Sequence, residues 1–120
     1  MVGVLTVWDF RESDSWSIAR SVACAIFELN DSWSKTIKSR TLGRQVERLS
    51  VALLDEIAKG YEGSGDPAFL AQAGETVDRL ETELKKFRQR GILSFHQFHL
   101  LRKNLQDVKL SLNRAQTQVS

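Results

Sequence analysis

The sequence predicts an all-α protein, an up-down-up-down antiparallel four-helix bundle. Three observations carry this. Apolar residues recur at three- and four-residue spacing in four separate stretches, the signature of helices with one buried stripe. Helix-ending glycines and capping residues fall between those stretches. The connections are short, which favours antiparallel neighbours. With 120 residues the chain fits one domain that buries a core without disulfide or metal.

The first helix is expected over about 13–33. Ser13 or Asp14 supplies the cap, because a short side-chain oxygen accepts from the free N–H groups of a first turn. Trp16, Ala19, Ala23, Ile26 and Trp33 follow helical spacing, Asn30 completes the row, and Ile18, Val22 and Leu29 widen it. Cys24, among Val22, Ala23, Ala25 and Ile26, reads as a buried packing cysteine. The second helix is expected over 37–61, with Leu42, Val46, Leu49, Leu53, Ile57 and Gly60 in a heptad pattern; Gly60, Gly63 and Gly65 then end it.

The third helix is expected over 66–90. Leu70, Ala73, Val77, Leu80, Leu84 and Phe87 alternate steps of three and four. Asp66 caps it, Pro67 suits its first position, and Gly91 stops it. The fourth is expected over 94–117. Ser94 and Gln97 form a capping-box pattern, and Phe98, Leu101, Leu105, Val108, Leu112 and Ala115 form the stripe, with a fraying tail after them. Residues 1–12 form an apolar N-terminal extension outside the bundle, and with Leu54, Leu100 and Leu110 off the main stripes the apolar surplus points to a homo-oligomer.

Composition narrows the chemistry. The single cysteine allows no internal disulfide. "MVGVLTVWDF" lacks a basic leader, so the expected setting is the reducing cytoplasm. No stretch reaches the roughly 20 apolar residues of a membrane span. His96 and His99 share a helix face, but no further metal ligand has matching spacing, so they read as surface or capping residues and no metal or cofactor is expected. Glu81 and Glu83 point to different faces, with Glu81 placed to pair with Lys85. No serine sits in a nucleophile elbow and no glycine loop has phosphate-binding form. The expectation is a protein without catalytic residues.

The basic residues are the one candidate site. Arg40, Arg44 and Arg48 are spaced i, i+4, i+8 on the second helix, with Lys35 and Lys38 just before them. Such a row fits either a solvated face with intersubunit salt bridges or contact with nucleic-acid phosphates. The net charge of +2 permits a polyanion without demanding one. Lys85, Lys86, Arg88 and Arg90 crowd the end of the third helix, where they also suit its dipole, and Arg102 and Lys103 lie on the fourth.

The order of these features resembles the small bacterial four-helix-bundle family known from intervening sequences in 23S ribosomal RNA genes. The likeness spans about Phe10 to Ala115. It rests on Phe10, Arg11 and Trp16, on Ile57, Ala58, Lys59 and Gly60, on "FLAQAGETVDRLETEL", and on "GILSFHQFHLL". Lys59 stands where the family carries glutamate, Leu54 where it often carries proline, and Glu47 beside Arg48 where it carries an arginine pair. The resemblance implies a bundle that assembles as a ring, with five subunits the associated form, and assigns no activity. Relatives of that family include an accessory subunit of diversity-generating retroelements, a pentameric barrel that binds a reverse transcriptase and nucleic acid. The resulting expectation is a homo-oligomeric structural or interaction protein, with a nucleic-acid-binding accessory protein for RNA or a reverse transcriptase as the alternative.

Overall fold

The computed structural model describes residues 13–32, 37–61 and 66–119. Trp33, Lys35, Gly63, Gly65 and the N-terminal extension lie outside the described residues. The chain forms four α-helices: α1 (Asp14–Ser32), α2 (Ile37–Tyr61), α3 (Pro67–Gln89) and α4 (Phe95–Val119). Among the described residues, the α1 backbone runs close to α2, α2 to α3, α3 to α4 and α4 back to α1, with no close backbone approach across either diagonal. The result is a closed square of helices. Cross-helix contacts give its sense. Ser15 at the start of α1 meets Tyr61 at the end of α2 and Ser111 late in α4. Asn30 at the end of α1 meets Glu47 in the first half of α2. Neighbours therefore run antiparallel, up-down-up-down.

Each helix end has a local cause. The Ser13 hydroxyl accepts from the Trp16 N–H at 3.1 Å and caps α1. The Asp66 carboxylate accepts from the Ala68 N–H at 3.0 Å, with Pro67 following, and opens α3. Ser94 and Gln97 exchange backbone-to-side-chain hydrogen bonds of 3.0 Å each at the head of α4. Gly91 has φ +76°, a conformation that a β-carbon strains. Its N–H donates to the Arg88 carbonyl at 3.0 Å, and the Ile92 N–H to the Phe87 carbonyl at 2.9 Å. That pair of bonds is a Schellman motif, which satisfies the last free carbonyls of α3. Between Ala115 and Val119 no Gly or Pro interrupts the helix, and α4 continues through the stretch expected to fray.

The core is one apolar column drawn from all four helices. Ile26, Val46, Leu53, Ile57, Val77, Leu80, Leu84, Phe87, Leu105 and Val108 have no exposed surface. The stripes of α2, α3 and α4 fall where the periodicity puts them. In α1 Ala19, Val22, Ala23 and Ile26 face inward as expected, joined by Ser15, while Trp16 lies half-buried on the flank. Cys24 is exposed, contrary to its reading as a packing cysteine. It sits about 200° around the helix from Val22, so burying Val22 and Ile26 turns it outward. Leu54, placed off its stripe by the sequence pattern, is half-buried against the core, whereas Leu100 and Leu110 are exposed.

Gly60 lies in the last turn of α2, which ends at Tyr61 where the sequence places its end. Its role is close approach. A β-carbon there would overlap the branched end of Leu70, which is itself fully buried. Gly74, on the next helix, has open space around it. The two glycines therefore respond oppositely to the same change. Gly60→Ala should lose about 1–3 kcal/mol through overpacking, while Gly74→Ala should gain about 0.5–1 kcal/mol from helix propensity alone. Urea unfolding of both variants checks this, and equal signs would refute the packing assigned to Gly60.

Candidate functional site

The arginine row lies where helical spacing puts it. Arg40, Arg44 and Arg48 are all exposed along the outer side of α2. Lys38 lies in the first turn of α2, and its side chain, like Lys35, lies outside the described residues. The structure adds what stands beside the row. Arg44 and Arg48 line a groove of about 540 Å³ between α1 and α2, with Phe27, Val51 and Ala52 as its apolar floor and Glu47 and Asp55 as its acidic members. Phe27 and Val51 are 42% and 51% exposed, high for apolar side chains.

A polar tie joins the same two helices next to the groove. The Asn30 amide donates to the Glu47 carboxylate at 2.5 Å. Gly43 makes room for it, because a β-carbon at that position would overlap the Asn30 side chain. Asp55 pairs with Lys59 at 3.0 Å, an exposed i,i+4 bridge. Among the described residues no ion pair engages Arg40, Arg44 or Arg48. The face is thus a mixed strip: three free guanidinium groups, two carboxylates with neutral or cationic partners, and an apolar floor.

The second basic cluster divides. Lys85, Arg88 and Arg102 line a cleft between α3 and α4. Lys86 turns away and pairs with Glu83 at 3.2 Å, the ion pair that forms in this turn instead of the expected Glu81–Lys85 pair. Glu81 looks toward Arg102 across the α3–α4 seam. His96 and His99 are exposed, and the His99 ring stacks on Phe95 at 6.2 Å between centroids. Among the described residues no three His, Cys, Asp or Glu side chains gather at a spacing that would hold a metal ion.

One carboxylate was missed by pattern reading. Glu56 is 8% exposed, on the α2–α3 seam, and its Oε1 accepts from the Thr76 hydroxyl at 2.6 Å. Desolvation by burial pushes its carboxyl above the ordinary carboxylate range; the Thr76 hydrogen bond opposes this only in part. Thr76 lies between Ala73 and Val77 of the α3 stripe, so a polar partner opposite it was the available signal.

Comparison of the chain with protein-family models, with curated proteins and with solved structures finds no match in any of the three. No described helix is long and apolar enough to cross a membrane.

The raised Glu56 carboxyl makes a signed prediction. The folded state holds this proton to higher pH than the unfolded chain does, so stability from this group falls as pH rises above the usual carboxylate range. Glu56→Gln keeps an acceptor for Thr76 and removes the charge. Its stability relative to wild type should therefore grow from about pH 4 to about pH 8. Urea midpoints across that range test it; a constant difference would mean that Glu56 is not desolvated.

Proposed function

We propose that the protein acts by self-assembly, as a non-catalytic homo-oligomeric structural or interaction protein in the cytoplasm, with the five subunits that its sequence resemblance implies. The observation that carries this reading is exposed apolar surface on two different faces. Phe27 and Val51 lie in the α1–α2 groove, while Leu100 and Leu110 lie on α4, each about half exposed. Leu110 sits nearly opposite the α4 stripe of Leu101, Leu105, Val108 and Leu112. Two unlike patches on one chain favour head-to-tail contact, which closes into a ring when the rotation allows it. The charges bordering the groove, Arg44 and Arg48 against Glu47 and Asp55, suit the polar rim of such a contact.

Light scattering at micromolar concentration should find an oligomer. Val51→Glu and Leu110→Glu each place an unpaired carboxylate in one side of every contact, a penalty of about 3–5 kcal/mol. Both side chains are exposed in the single chain, so helicity should persist while the mass drops to that of one subunit. A monomeric wild type would overturn the proposal.

A specific observation favours a second reading, a nucleic-acid-binding accessory protein for RNA or a reverse transcriptase. Arg40, Arg44 and Arg48 stand exposed in one line and free of ion pairs among the described residues. Repetition around a ring multiplies the chain's +2. In fluorescence anisotropy with a labelled structured RNA, replacing all three arginines by Ala should weaken binding and flatten the log–log salt slope by roughly 2. Unchanged binding would remove this face from the reading.

A further inference from the structure

We propose that the cleft between α3 and α4 binds a nucleoside phosphate, with the phosphate held by Lys85 and Arg102 in front of Arg88 and the base laid against Phe95. This site shares no residue with the α1–α2 groove or with Leu100 and Leu110, so it stands whatever the oligomeric state.

Spacing builds the cleft. Asp78, Glu81, Thr82, Lys85 and Arg88 fall at i, i+3, i+4, i+7 and i+10 and present one face of α3. Phe95, Phe98 and Arg102 do the same on α4. The two faces enclose about 560 Å³, within the roughly 300–1,000 Å³ of small-molecule sites.

Charge selects the ligand. Asp78 is already taken, because the Lys109 ammonium donates to it at 2.6 Å. That leaves Lys85, Arg88 and Arg102 against the single carboxylate of Glu81. The excess is therefore about two positive charges. A phosphate monoester carries about −1.5 to −2 near neutral pH and matches it. A carboxylate or a neutral sugar does not.

Arg88 is fixed in advance. Its guanidinium carbon lies 5.7 Å from the Phe95 ring centroid and 5.6 Å from that of Phe98, so two rings flank it. Its Nε is buried with no acceptor in the protein. Among the described residues no carboxylate pairs with this cation, unlike Lys86 and Lys109, each of which has one. Phe95 is still 69% exposed. Its ring stacks with His99 at 6.2 Å between centroids, and an exposed aromatic pair beside uncompensated cations can bind a base and its phosphate together.

Calorimetric titration of the full chain with AMP at low salt tests the assignment, with adenosine and inorganic phosphate as controls. AMP should bind about tenfold or more tightly than either control, and added salt should weaken it. Phe95→Ala and Arg102→Ala, both at exposed positions, should each weaken AMP by about tenfold with circular dichroism unchanged. Absence of AMP binding at millimolar concentration would overturn the proposal. So would AMP binding no tighter than phosphate, or AMP binding that both variants leave intact.

Discussion

The seam between α2 and α3 sets the geometry that the other helices follow. At its loop end, Gly60 lets the α2 backbone come down onto the branched side chain of Leu70. Further along, the Glu56 carboxylate reaches the Thr76 hydroxyl across the same seam. An apolar stripe alone tolerates sliding, because one leucine replaces another as the helices shift. A glycine that brings the backbone onto one side chain, and a buried cross-helix hydrogen bond, do not. Together they fix how far α3 lies along α2. Leu80, Leu84 and Phe87 then reach the depth at which α1 and α4 close over them. The register also decides which end of α3 faces the head of α4, and so where Arg88 meets Phe95 and Phe98.

The parts of the fold that were legible in the sequence are those set by chain-local physics. Asp66 with Pro67, Ser94 with Gln97, and Gly91 each act within a few residues, so their spacing alone carries their meaning. The α3 stripe was legible for a related reason: Leu70 to Phe87 leaves only one face apolar. Where the stripe was ambiguous, reading failed. Val22 to Ile26 is five apolar or weakly polar residues in a row, so every rotation of α1 buries some of them. The packing of α2 and α4 then chooses Val22 and Ile26 and leaves Cys24 outside. Gly60 was legible as a glycine near a helix end, but not as a contact, because its partner Leu70 lies across the turn.

The candidate surfaces divide in the same way. The line of Arg40, Arg44 and Arg48 follows from spacing on one helix, and it was visible at once. The apolar floor beside it depends on Phe27 of a different helix. The α3 basic run was visible too, but its sorting was not. Lys86 and Arg88 are two residues apart, about 200° around the helix, so one finds Glu83 and the other finds two phenyl rings. Glu56 itself reads as solvated beside Asp55; the signal for the pair lay in Thr76 on the α3 stripe, and it took the fold to place the two opposite each other.

The distribution of uncompensated charge separates the two sides of the bundle. On α2, the free arginines stand on an open face beside carboxylates and over an apolar floor, an arrangement suited to a broad partner whose own surface supplies the rest. Between α3 and α4, the cations converge on a bounded volume in which aromatic rings already hold one of them. A long solvated arginine loses side-chain entropy on every contact it makes. Arg88 has lost it in folding, so an anion that meets it there does not bear that loss again. On the readings proposed above, the open row suits a broad contact and the cleft a defined small anion. Because neither set of residues touches the other, the bundle can present both at once.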